Sequence, residues 1–234
     1  EPWFQKDMEI TADYAKKQAE STNKAVYIIG RTAGEDKDNA NWVGSYLLTD
    51  EEKENLKNIT EAFEDVCVVL NVSNIIDLKW IDEEQFKGHI KSVIIVWQGG
   101  MEGGNAVADA LSGKATPSGK LPDTVAYDIE DYPANDNFGN EFTNLYKEDI
   151  YVGYRYFETF APEKVQFEFG FGLSYTKFDI ETVSADADNE KITLEVKVTN
   201  TGDKFSGKEV VQVYYEAPQG ALGQPARQLC AYEK

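Results

Sequence analysis

The distribution of apolar residues divides the chain into two textures. From about residue 5 to 115, short apolar runs alternate with stretches in which apolar side chains recur every three or four positions. From about residue 165 onward the period drops to two, with turn residues between the runs. In the first part, Met8, Ala12, Ala15 and Ala19 predict a helix within Asp7 to Asn23. The runs 25–30, 66–71 and 92–97 read as buried parallel strands. Thr49-Asp50-Glu51-Glu52 is a capping box, and the helix it opens carries Leu56, Ile59, Ala62 and Phe63 on one face. A further helix is expected from Glu102 to Leu111, with Ala106, Val107, Ala110 and Leu111 turned inward. Strand and helix in alternation predict an α/β fold, an open, largely parallel sheet with flanking helices.

The last part differs. Ile192, Leu194, Val196 and Val198 alternate with polar residues, which predicts a half-buried antiparallel strand. Asn200-Thr201-Gly202-Asp203 supplies the turn, and Glu209 to Tyr215 forms the next strand. These are two or three strands of a β-sandwich, which needs about seven. The sandwich is therefore expected to be partial, and the chain a piece of something longer.

Composition narrows the chemistry. With 234 residues, one or two domains are expected. Lys and Arg number 23 against 42 Asp and Glu, a net charge of −19 spread along the chain. Such a surface repels phosphate backbones and anionic lipid heads, so nucleic-acid and membrane-surface partners are not expected. No run approaches the roughly 20 apolar residues of a membrane-spanning helix. The start of the chain carries no basic-then-apolar signal segment. Two cysteines, Cys67 and Cys230, are too few for a disulfide framework; Cys67 reads as a small buried hydrophobe. A single histidine, His89, reads as a surface residue and leaves no room for a His-rich metal site.

In open α/β sheets ligands gather beyond the carboxyl ends of the strands. Three segments fall there: 30–38, 71–74 and 97–105. Glu35 is the most suggestive residue, in a glycine-flanked loop with Arg31, Asp36, Lys37 and Asp38 nearby. A carboxyl so placed can act as a general acid where neighbouring negative charge or partial burial favours its protonated form. The residues alone favour the plainer reading, a solvated turn of mixed charge. The turn from Gly99 to Gly104 lacks a Walker lysine and the dinucleotide glycine spacing, and Glu102 puts negative charge where a phosphate would sit. It reads as a tight structural turn.

Taken in order, several motifs carry a resemblance. They are the run Ile95 to Asp109 containing Gln98-Gly99-Gly100-Met101-Glu102-Gly103-Gly104-Asn105, then Pro117-Ser118-Gly119-Lys120-Leu121-Pro122. Tyr151-Val152-Gly153-Tyr154-Arg155-Tyr156-Phe157 and Phe169-Gly170-Phe171-Gly172-Leu173-Ser174-Tyr175-Thr176 follow. The series closes with Val198 to Gly202 and Gly207 to Tyr214. Over residues 7 to 234 this series resembles glycoside hydrolase family 3, the β-glucosidase family.

The resemblance implies an enzyme of three parts: a TIM-like barrel, an α/β sandwich domain and a fibronectin type III-like domain. On that reading residues 1–125 belong to the α/β sandwich domain, 126–164 to a linker with docking loops, and 165–234 to the fibronectin-like domain. A retaining, exo-acting β-glycosidase acting on terminal β-D-glucosyl or related residues is implied. Its nucleophilic aspartate lies on the barrel, which is absent here. The family's acid/base pattern R-x-x-G-E-G-x-D reads Arg31-Thr32-Ala33-Gly34-Glu35-Asp36-Lys37-Asp38, so Glu35 maps onto the acid/base and the resemblance reverses the plainer preference. The family's glycine after it is Asp36. Arg31 and Asp36 are expected at the substrate, with Arg31 also able to hold Asp36 or the loop. No metal or organic cofactor is required. The partners implied are a β-glucoside or oligosaccharide, the barrel, and a further copy of the chain in a homo-oligomer. Free cysteines favour a cytoplasmic over a secreted setting. Two rival readings stand beside this one: a catalytically decayed module of the same fold, and a nucleotide-binding α/β domain, which the glycine spacing opposes.

Overall fold

The computed structural model describes residues 6–32, 35 and 38–234. These form two compact units, one of residues 1–104 with Tyr127–Ile129, the other of Asn105–Ala126 with Glu130–Lys234.

In the first unit, α1 (Ala12–Ala19) begins later than its apolar spacing suggests, because Thr11 caps it: the Tyr14 amide donates to its hydroxyl at 3.2 Å. The residues before it are held instead by side chains of α2 (Asp50–Ala62). Asn55 accepts from the Ile10 amide at 2.7 Å and donates to the Met8 carbonyl at 3.1 Å, while Asn58 donates to the Ile10 carbonyl at 2.9 Å. The expected capping box is present, with Thr49 and Glu52 exchanging bonds of 2.8 and 3.0 Å.

Three strands, β1 (Lys24–Gly30), β2 (Asp65–Asn71) and β3 (Ile90–Ile95), pair in parallel in that order. Tyr27 and Ile29 are buried beside their register partners Val68 and Leu70, and α2 packs on β1 and β2. The alternate positions of β1 face outward: Val26 and Ile28 are 52% and 55% exposed. Cys67 pairs in register with Val26, shares that open face, and is only half-buried, a correction to its expected burial. β3 ends two residues earlier than its apolar run, where Trp97 adopts a left-handed backbone (φ 52°). His89 is exposed in a turn. No helix among the described residues is long and apolar enough to cross a membrane.

Helix α3 (Gly103–Leu111) follows the glycine turn, and none of its residues is buried. Ala106 and Leu111, expected to face inward, are exposed. Apolar residues alone do not bury a helix; an opposing surface must cover them, and among the described residues these two have none.

In the second unit, β4 (Val125–Ala126) pairs antiparallel with β5 (Val165–Phe167). Ala126 packs with Phe157 and Ala161 of the segment around α4 (Tyr154–Phe160). Two antiparallel ribbons follow, β6 (Phe178–Ala187) with β7 (Ile192–Asn200), and β8 (Val211–Tyr215) with β9 (Gln228–Glu233). The alternation along β7 is as expected but its burial is not. Ile192, Leu194 and Val198 stay exposed, because a two-stranded ribbon covers neither of its own faces.

Three of the quoted motifs meet in this unit. The Leu121 amide donates to the Phe171 carbonyl, and the Gly170 amide to the Leu121 carbonyl, both at 2.8 Å. Lys120 donates to the Gly172 carbonyl at 2.9 Å and pairs with Glu209 at 2.8 Å. A side chain at 172 would bring its Cβ within 2.3 Å of the Gly119 carbonyl oxygen. The expected turn after β7 closes on Asn200, whose side-chain oxygen accepts from Thr176 Oγ1 at 2.6 Å and from the Gly202 amide at 3.0 Å.

Candidate active site

At the carboxyl edge of the parallel sheet, Gly30, Asn71 and Ile95 end the strands from which the three expected segments lead off. The ladder continues one step past the strands: the Arg31 amide donates to the Asn71 carbonyl at 3.1 Å, and the Val96 amide to the Leu70 carbonyl at 3.0 Å. At the end of β3, a Cβ on Gly99 would fall 2.8 Å from Gly103 Cα, so that turn is closed by backbone contact, as a structural turn should be.

Glu35 lies exposed in a turn five residues beyond the end of β1. Asp36 lies outside the described residues. Arg31 does not reach toward Glu35 but turns inward, its side chain only 4% exposed. It forms a bidentate pair with Glu52: Nη1 to Oε1 is 2.6 Å and Nη2 to Oε2 is 2.9 Å. The other three N–H groups donate to backbone carbonyls, Nε to Ser45 at 3.0 Å, Nη1 to Gly30 at 2.8 Å and Nη2 to Leu47 at 3.3 Å. All five donors of the guanidinium are thereby engaged within the chain, and none is left for a substrate. A charge this deeply buried requires such pairing.

The far side of the loop is held as well. Asn39 donates its side-chain amide to the Ile75 carbonyl, and the Ala40 amide donates to Ser45 Oγ at 3.1 Å. Ser45, 1% exposed, thus serves both stems at once, its carbonyl taking Arg31 and its hydroxyl taking Ala40. It sits in a tight turn in which the Leu47 amide donates to the Trp42 carbonyl at 3.1 Å, flanked by buried Tyr46 and Leu48.

Sequence reasoning identified Glu35, Arg31 and the capping box but neither Ser45 nor the second duty of Glu52. That carboxylate caps α2 and neutralises Arg31 together, a coincidence visible only once residues 21 apart in sequence are side by side. Among the described residues no group of three or more His, Cys, Asp or Glu side chains is placed to hold a metal ion.

A model of the Glycosyl hydrolase family 3 C-terminal domain matches residues 5–175. This chain belongs to glycosyl hydrolase family 3. A β-glucosidase from Ruminococcus albus is 50% identical over 234 residues, which are all of this chain and 24% of that protein. The crystal structure of a β-glucosidase from Paenibacillus barengoltzii superposes with a TM-score of 0.96 at 56% identity, covering 99% of this chain and 25% of that one. β-Glucosidase 3B from Thermotoga neapolitana, solved in complex with α-D-glucose, gives a TM-score of 0.88 at 35% identity, over 96% of this chain and 32% of that one. The chain therefore spans 24–32% of the length of these family 3 relatives. It has their C-terminal architecture, a parallel sheet with helices followed by antiparallel strands.

Proposed function

We propose that this chain supplies the general acid/base, Glu35, to a retaining, exo-acting β-glucosidase whose nucleophilic aspartate lies on a barrel outside it. The reading rests on an exposed glutamate carried past the carboxyl end of a parallel strand, on a loop with both stems fixed, in a chain whose relatives are named β-glucosidases. On this reading residues 1–125 are the α/β sandwich domain and 165–234 the fibronectin type III-like domain, joined by 126–164.

The chemistry is a double displacement. The aspartate attacks the anomeric carbon of the terminal β-glucoside as Glu35 gives its proton to the departing glycosidic oxygen. The carboxylate so formed then takes a proton from water, the water oxygen attacks the anomeric carbon, and the aspartate is released. Retention requires the two carboxyls about 5–5.5 Å apart, a distance that docking of the barrel sets. Asp36 is proposed as a substrate contact beside the acid. Arg31, whose donors are all engaged internally, acts by holding the loop.

The test is Glu35→Ala in the full-length enzyme. Turnover of cellobiose should nearly vanish. Azide should restore turnover of an aryl β-glucoside, with β-glucosyl azide as the product. Cellobiose turnover within about twofold of the parent enzyme removes Glu35 from the mechanism.

A further inference from the structure

We propose that Ser45 and Glu52 are positioning residues of the glycosidase reaction, a clasp that closes the loop between Arg31 and Ala40 and so fixes where Glu35 meets the leaving oxygen. The inference rests on the reading of Glu35 as the acid. Both stems of the loop converge on one buried serine. Its carbonyl takes Nε of Arg31 at 3.0 Å, and its hydroxyl takes the amide of Ala40 at 3.1 Å. Glu52 completes the clasp from below by taking two N–H groups of Arg31, and it is itself held through the Thr49 amide at the first turn of α2. The acid's loop is thus tied through three side chains to a helix packed on the sheet.

The two stems between which Glu35 is carried are thus fixed on one buried residue. That is the condition under which a carboxyl can be presented at one position across a gap between separate parts of an enzyme. Neither residue needs to touch substrate. Ser45 is 1% exposed and the Glu52 side chain 4%.

A residue acting through placement of the acid has a signature that a merely structural one lacks. Misplacing the acid harms departure of a poor leaving group and spares one that leaves without a proton. Ser45→Ala and Glu52→Gln would be made in the full-length enzyme, with Glu35→Gln as reference. For each, kcat/KM is measured on methyl β-D-glucoside and on 2,4-dinitrophenyl β-D-glucoside, since this ratio reports only steps through formation of the glycosyl-enzyme. The clasp predicts a loss of about 10- to 100-fold on the methyl glucoside, with less than about threefold on the dinitrophenyl one. Equal losses on both substrates in folded variants, or no loss on either, overturns it. If Glu52→Gln does not fold, Ser45→Ala decides alone, because it removes one hydroxyl and leaves the ion pair intact. If Glu35→Gln itself shows no such selectivity, the acid reading fails and the clasp falls with it. Selectivity in Glu35→Gln without selectivity in Ser45→Ala overturns the clasp only.

Discussion

The pair of Arg31 and Glu52 lends itself to a double-mutant cycle on the chain itself. Both side chains are 4% exposed, so removing one partner strands the other away from water. In Glu52→Leu the guanidinium keeps its three carbonyl partners but loses the carboxylate that balances its charge. Breaking a buried pair in this way costs about 3–5 kcal/mol. The Thr49 amide loses its acceptor as well, which adds about 1 kcal/mol for the helix cap. A total of about 4–6 kcal/mol, at a urea slope of about 2 kcal/mol/M, moves the unfolding midpoint down by about 2–3 M. Arg31→Met should cost a similar amount, because it leaves Glu52 buried and strips three carbonyls. The double variant has no stranded charge. Its cost should fall short of the sum of the singles by at least about 2 kcal/mol. The chain offers a selective probe: its four tryptophans, Trp3, Trp42, Trp80 and Trp97, all lie in residues 1–104, so tryptophan fluorescence follows that unit alone. Additivity within about 0.5 kcal/mol would refute the claim that the two groups act as one buried pair. The exposed pair of Lys24 and Asp65 is the internal control: despite its 2.6 Å separation, Asp65→Asn should leave the midpoint where it was.

Three further outcomes are expected. Asn55→Leu removes the partner of the Ile10 amide and of the Met8 carbonyl and should cost about 2–3 kcal/mol, with the Ile10 amide exchanging its hydrogen faster by NMR. Gly172→Ala forces a Cβ against the Gly119 carbonyl and should cost about 1–3 kcal/mol, whereas Gly220→Ala meets nothing within 4 Å and should be neutral; urea unfolding followed by far-UV dichroism separates them. Burial works to raise the pKa of Glu209, but the bonds from Lys120 and from the Val210 amide outweigh it and hold its carboxyl below the usual range. Its contribution to stability is therefore present above pH about 4.3 and is lost as pH falls through the lower folded value. Lys120→Met should raise the Glu209 titration in a carboxyl carbon NMR experiment and flatten that acid-side loss.

The parallel sheet was legible because buried parallel strands are nearly continuous apolar runs and because a capping box states where a helix starts. Positions 25–30 and 66–71 needed nothing beyond their own residues. Burial was less legible wherever it depends on what lies opposite. Cys67, Ala106, Leu111 and the apolar side of β7 all read as inward from periodicity and are half-buried or exposed, because periodicity fixes which side chains share a face and not whether a second layer covers it. Trp97 shows the same limit for the backbone: its apolar run continues smoothly, yet the chain leaves the strand there with φ at 52°. At the candidate site, Glu35 came from its place after a strand, sharpened by the family pattern. The clasp was invisible because Ser45 and Glu52 act at 14 and 21 residues from Arg31, and no local rule links those separations.

Several of the motifs that carry the family resemblance have a structural duty of their own. Lys120, Gly170, Gly172, Asn200, Gly202 and Glu209 are engaged in stitching the second unit together. None of these contacts uses a carboxyl at position 35, so a sequence can keep every one of these signatures without its glutamate. On the proposed reading, sorting living enzymes from silent ones within such sequences calls for reading positions 31, 35, 45 and 52 as a set, since losing the tip with the clasp intact, or the clasp with the tip intact, would record two different histories of decay.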